Sequence, residues 1–277
     1  MPILRVFPRR TKATPEDEYV AIGEPGLFPP EDITEIHVSV AFTWDLFEAE
    51  RLADSWRRYG TVKIGGPAFN QPGGEFTPGM YLKKGYVITS RGCPNHCWFC
   101  QVPKREYNGL HELKIKDGYN VLDDNLLACS EAHLRAVFEM LKRQKERARF
   151  TGGLEAKLLK NWHCELLAGL RLDSMYFAYD TPDDYDPLVE ASKLLKECGL
   201  LNVRKVGVYC LCGWPQDTMN AAELRFWQVL RLGMRPYAML WRNQKGDMNQ
   251  EWRKFQREWL SPYIIHAKLK EKENGTS

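Results

Sequence analysis

Apolar positions along this chain recur at two spacings that alternate from end to end. Ile36-His37-Val38-Ser39-Val40-Ala41-Phe42 has the β-rich pattern of a strand. Asp45 with Glu48 three residues on offers a helix cap, and Ala49, Leu52, Ala53, Trp56 and Tyr59 then follow at helical spacing, closed by Gly60. Thr61 to Gly66 reads as the next strand, so residues 33–69 predict one strand–helix–strand unit. Asn70 to Tyr81 is rich in Gly and Pro and reads as a linker. Beyond it, short strands are predicted at Gly85–Thr89, Val121–Leu122, Arg149–Thr151, Met175–Asp180, Val203–Cys212 and Pro236–Trp241. Helical patterns separate them. Ser130 caps one with Leu134, Val137, Phe138 and Leu141 on its inner face; two more end at Gly199 and Gly233; Trp252, Phe255 and Trp259 mark a last one. Strands alternating with helices predict an α/β fold of parallel strands joined by crossover helices.

Composition narrows this picture only a little. With 277 residues, 44% of them hydrophobic, the chain is long enough for a sizeable core. A formal charge of +3 does not indicate a nucleic-acid partner. The basic runs Arg9-Arg10-Thr11-Lys12 and Lys268 to Lys272 read as solvated ends. No leader sequence and no membrane-length apolar run is visible, so a reducing, cytoplasmic setting is expected for the eight cysteines.

Three of those cysteines carry the candidate chemistry. Ser90-Arg91-Gly92-Cys93-Pro94-Asn95-His96-Cys97-Trp98-Phe99-Cys100 places thiols at spacing C-x-x-x-C-x-x-C just after a predicted strand. Three protein ligands leave one position of a metal centre open, and a cubane iron–sulfur cluster held by three thiolates keeps one iron free. A zinc site completed by His96, Cys129 or His163 is the competing reading, although no second Cys/His pair at zinc spacing accompanies the run. Cys129, Cys164, Cys198, Cys210 and Cys212 read as buried small hydrophobes; Cys210 and Cys212 share one strand face, and an auxiliary cluster on them is the less favoured alternative.

This run, with Phe99 before the last cysteine, resembles the cluster loop of the radical S-adenosylmethionine (SAM) enzymes. Thr89-Ser90-Arg91-Gly92-Cys93-Pro94 is most similar to the branch that often carries a cobalamin-binding N-terminal domain. The resemblance implies a partial (β/α)6 barrel over residues 81–245, a short α/β unit with linker over 1–80, and a C-terminal helix and basic tail over 246–277. It implies that Cys93, Cys97 and Cys100 hold a [4Fe–4S] cluster whose fourth iron takes SAM, with Phe99 beside it. One electron then cleaves SAM to methionine and a 5′-deoxyadenosyl radical that abstracts hydrogen from a substrate. Two places compete for the SAM amino group: Asp123-Asp124-Asn125 after the second barrel strand, favoured, and Gly152-Gly153-Leu154-Glu155 after the third. Glu155 would otherwise face the same cavity. Asp180 after the fourth strand is read either as a partner of the ribose hydroxyls or as turn chemistry in Asp-Thr-Pro-Asp-Asp. The family's glutamate in the turn after the fifth strand is replaced by Gln216-Asp217, and Lys104 and Arg105 are read as solvated or as meeting an acidic group.

The cobalamin signature Asp-x-His-x-x-Gly is absent around His37, which counts against cobalamin and marks the N-terminal unit as a shortened relic. The expected function is thus an oxygen-sensitive radical SAM enzyme acting on a substrate the sequence does not name. Its expected partner is a reductant such as a flavodoxin or ferredoxin. The alternatives are a cobalamin-dependent methyltransferase of the same family and a non-catalytic iron–sulfur or zinc redox adaptor.

Overall fold

The computed structural model describes residues 2–27, 30, 32–70, 74–105, 109–243 and 245–274. The predicted linker therefore lies partly outside the described residues, at 71–73. Two compact units are present: Met1–Lys145 with Gln244–Gly246, and Glu146–Asn243 with Asp247–Ser277.

The first unit opens with a parallel sheet that extends the predicted strand–helix–strand. Its strands are β1 (Ile3–Phe7), β2 (Val20–Ile22), β3 (Glu35–Ser39) and β4 (Thr61–Gly65), in the order β2-β1-β3-β4. The helix α1 (Leu46–Trp56) covers one face, setting Ala49, Leu52, Ala53 and Trp56 against Leu4, Val6, Ile36 and Val38. The strands β1 and β2 are not anticipated by periodicity, because β1 is buried along Leu4–Phe7 and shows no alternation. Its buried Arg5 donates to the carbonyls of Tyr19, Gly79 and Met80 and pairs with Asp17.

Two expectations here are corrected. Asp45 makes no side-chain cap bond to α1; it is 3% exposed and its carboxylate accepts from Arg9. The N-terminal basic run is thus not simply solvated. A buried carboxylate takes the nearest guanidinium because the charge cannot stay unpaired.

The same unit holds β5 (Tyr86–Val87), the antiparallel pair β6 (Ser90–Arg91) and β7 (His111–Glu112), then β8 (Asn120–Val121) and the helix α2 (Glu131–Arg143). Ser130 caps α2 as predicted, accepting from the His133 N–H at 3.2 Å, and Leu134, Val137, Phe138 and Leu141 are buried.

The second unit contains β9 (Ala148–Leu154), α3 (Asn161–Ala168), β10 (Leu172–Ala178), α4 (Tyr185–Glu197), β11 (Val206–Cys212), α5 (Met219–Arg231), β12 (Arg235–Leu240), α6 (Gln250–Leu260) and α7 (Pro262–Asn274). The strands β9 to β12 are parallel and adjacent in chain order. Alternation along β11 is realised: Val206, Val208, Cys210 and Cys212 are fully buried on one face. On the other, Tyr209 stacks on Tyr176 at 4.7 Å and meets Tyr237 edge-on at 5.6 Å. Cys210 and Cys212 turn their thiols to the carbonyls of Val208 and Met239, as core cysteines do. The helix α6 packs Phe255 and Trp259 on Phe226.

All six predicted barrel strands are present, β5 and β8 in the first unit and β9–β12 in the second. The fold is α/β, a partial (β/α)6 barrel preceded by a small parallel N-terminal sheet. Among the described residues, no helix is long and apolar enough to cross a membrane.

Candidate metal centre

Parallel barrels place chemistry just beyond the carboxyl ends of their strands. After β5 the chain runs through Thr89 into β6, turns at Gly92 and enters the three-thiol loop. The backbone at Gly92 has φ +85°, and a Cβ there would lie 1.9 Å from the Gly109 carbonyl oxygen. Only glycine fits this approach.

The loop closes on itself through the Cys100 N–H to the Cys97 carbonyl at 3.0 Å. Its sulfurs receive donors. The Asn95 N–H and the Asn125 amide each lie 3.4 Å from Cys93 Sγ, and the Val102 N–H lies 3.4 Å from Cys100 Sγ. Cys93 and Cys100 are half-buried and Cys97 is exposed. Burial pushes the Cys100 thiol up, Asp124 and Cys93 add to it, and the Val102 N–H and Arg105 oppose it. N–H donors aimed at sulfur suit a thiolate-held cluster, so the residues present fit the group that the sequence implies. Phe99 is half-buried and meets Trp98 edge-on at 5.4 Å; Trp98 is 56% exposed.

The acids after β8 face this loop. Asp123 is 1% exposed, and its two oxygens accept from the Thr89 N–H at 2.6 Å, the Thr89 hydroxyl at 2.5 Å and the Ser90 hydroxyl at 2.7 Å. Burial raises its carboxyl above the usual range, against the pull of those donors. It has no surface on which to meet an ammonium group. Asp124 accepts from the Gly92 N–H at 2.9 Å and from Arg105 at 3.1 and 3.2 Å. Asp124 is thus the acidic group that Arg105 meets.

Behind Asp123, His133 Nε2 lies 3.2 Å from the Thr89 hydroxyl and Nδ1 lies 3.7 Å from Glu112. Asp123, Cys129 and His133 bring a carboxylate oxygen, a thiol and a ring nitrogen within 4.8 Å. The Thr89 hydroxyl bonds both Asp123 and His133, which makes the group a hydrogen-bonded set around that residue. Burial pushes the Cys129 thiol up to about 12. Of the other residues considered for zinc, His96 is exposed, and His163 Nδ1 accepts the Lys160 N–H at the start of α3.

In the second unit, Gly153 has φ +103° with nothing near its Cβ position, and Glu155 pairs with Lys157 at 2.7 Å. Asp184 supplies the turn chemistry after β10, accepting from the Asp180 and Thr181 N–H groups. The Asp180 carboxylate instead accepts the Leu211 N–H at 2.8 Å and so links β10 to β11. Burial pushes the Asp180 carboxyl up to about 7; Asp184 pushes the same way, and the Leu211 N–H and Arg225 oppose.

This carries a pH prediction. The folded-state value stands above the ordinary 3.8, so as pH rises the unfolded chain loses this proton first. The Asp180 contribution to stability is full below about pH 4 and is lost as pH climbs toward about 7. Denaturant midpoints of wild type and Asp180→Asn should therefore diverge over that window, the wild type losing ground; parallel pH profiles would contradict the assignment.

The sequence did not single out Arg225. It is 8% exposed, donates to Asp217 at 2.8 Å and to the Leu211 carbonyl at 3.1 Å, and lies 4.7 Å over the Trp214 ring. Asp217 also accepts the Gly213 N–H. Beside this pair, a cavity of about 300 Å³ opens at the ends of β11 and β12, lined among others by Trp214, Trp241, Trp252 and Asp217. The available signal was Asp217 in the turn before α5 with Arg225 eight residues on, about two turns into that helix.

Comparison with known proteins follows the geometry. No protein-family model matches the chain, and no curated protein matches it by sequence. Among solved structures it is similar to the radical SAM methyltransferase TsrM from Kitasatospora setae, determined with cobalamin and a [4Fe–4S] cluster bound. The TM-score is 0.57 at 11% identity, over 86% of this chain and 74% of that one. At that identity the likeness shows the fold alone, an α/β fold similar to that of a radical SAM methyltransferase.

Proposed function

We propose that this chain is a radical SAM enzyme: Cys93, Cys97 and Cys100 hold a [4Fe–4S] cluster and its open iron takes SAM. The observation that carries the reading is the three-thiol loop just beyond the first barrel strand, with N–H donors aimed at two of its sulfurs. The bound cofactors supply one-electron reductive cleavage of SAM. The chain's own residues shape the loop, shield Cys93 and Cys100 and leave Cys97 on the open side. The substrate is a molecule from which hydrogen is abstracted, and the reductant is a flavodoxin or ferredoxin in a reducing cytoplasm. Cobalamin is left out of the reading, because the Asp-x-His-x-x-Gly signature is absent around His37.

The test is 5′-deoxyadenosine formation by protein reconstituted anaerobically with iron and sulfide, then given SAM and dithionite. Wild type is expected to form the nucleoside and Cys97→Ala to form at least a hundredfold less. Zinc in place of iron at the three thiols, or an intact cluster that neither binds nor cleaves SAM, would overturn the proposal.

A further inference from the structure

We propose that Asp123-Asp124-Asn125 is a three-point clamp on the cluster loop, and that these residues position the loop instead of receiving the SAM amino group. The inference rests on the reading of the loop as a cluster loop. It is carried by the way three consecutive side chains are used. Asp123 holds Thr89 and Ser90 before the loop. Asp124 holds the Gly92 N–H at its entry and Arg105 beyond its last cysteine. Asn125 reaches Cys93 Sγ itself. In a strand, neighbouring side chains point to opposite faces. The strand β8 ends at Val121, so these three lie past the ladder and all turn toward the loop.

The bonding leaves little for another ligand. Both oxygens of Asp123 are taken by three donors in a closed environment. The charge of Asp124 is already answered by a guanidinium, so an ammonium group would have to displace Arg105. The Gly92 amide is the point where the loop most needs holding, because the backbone there turns at positive φ against the Gly109 carbonyl. His133 buttresses the first point of the clamp through the Thr89 hydroxyl. The third point acts on the sulfur: an amide donor stabilises negative charge on Cys93 and so favours the reduced form of a cluster ligated there.

Four measurements on Asp124→Ala, Asp124→Asn and Asn125→Leu test the clamp. In metal-free protein, Asp124→Ala should speed hydrogen exchange at the Gly92 amide at least tenfold. Asp124→Asn keeps an acceptor for Gly92 but loses the charge facing Arg105, and should fall between Asp124→Ala and wild type. In reconstituted protein, Asp124→Ala should lose iron to a ferrous chelator at least tenfold faster. The fraction still loaded should bind SAM within twofold of wild type. Asn125→Leu should keep its iron while its midpoint potential moves to a more negative value.

Tenfold weaker SAM binding by an intact cluster, with Gly92 exchange unchanged, would overturn the clamp and return Asp124 to the SAM amino group. Unchanged chelator kinetics in Asp124→Ala would also overturn it. A wild type that takes up no iron would remove the enzyme reading; exchange at Gly92 in the metal-free chain would then decide the clamp by itself.

Discussion

Gly92→Ala should abolish cluster loading while leaving the rest of the chain folded. Iron content after anaerobic reconstitution is expected to fall at least tenfold, with the far-ultraviolet circular dichroism retained. Two costs combine at this position. A side chain at positive φ costs roughly 1–2 kcal/mol. The larger obstacle is the Gly109 carbonyl oxygen 1.9 Å from the new Cβ, since a backbone atom cannot swing aside as a side chain does. Relieving that contact moves Gly92 away from Asp124, and with it the chain that leads into Cys93. Gly109→Ala is the matched control: its φ is +92°, but nothing lies within 4 Å of its Cβ position, so only the conformational cost applies. Equal loading in the two variants would show that the close approach at Gly92 does not shape the site.

Arg225→Met is expected to destabilise the second unit strongly. The ion pair with Asp217 is buried on both sides, with side-chain exposures of 10% and 1%. Removing one member of such a pair leaves an uncompensated buried charge, at a cost of about 3–5 kcal/mol. At about 2–4 °C per kcal/mol that lowers the melting temperature by about 6–20 °C. Replacing both members by apolar residues of similar volume removes the stranded charge as well as the pair. The double variant Arg225→Met with Asp217→Leu should therefore recover part of the loss, the Gly213 N–H and the Leu211 carbonyl losing these partners. A double variant that melts below the single one would show that Asp217 stabilises the unit without Arg225, through the Gly213 N–H that it accepts. The cavity beside Trp214 should respond in parallel, because Arg225 packs on that ring and bonds the Leu211 carbonyl at the end of β11.

These two positions differ in how visible they are beforehand. Gly92 sits inside the thiol run, so the spacing of Cys93, Cys97 and Cys100 draws the eye to it. Arg225 lies on the predicted helix α5 among residues with ordinary amphipathic spacing, and only its burial against Asp217 shows that it is not a surface charge. Arg9 and Asp45 repeat the lesson. Each has a reasonable local reading, a solvated basic run and a helix cap, and each abandons it for a partner 36 residues away.

Local periodicity decided much of the architecture. Alternation along β11, the 3.6-residue repeat of α1 and α2, and the glycines closing α4 and α5 are properties of neighbouring residues, and neighbours are what a sequence displays. The spacing of the three thiols within one short loop belongs to the same class. Tertiary structure alone decided the use of the carboxylates. Asp123, Asp124 and Asp180 look alike as letters after strands. Their partners are the N–H groups of Thr89, Gly92 and Leu211, more than 30 residues distant in each case. A carboxylate buried away from water must take whatever donors stand within about 3 Å, and which donors stand there is set by the packing of strands, not by the residue's own neighbours.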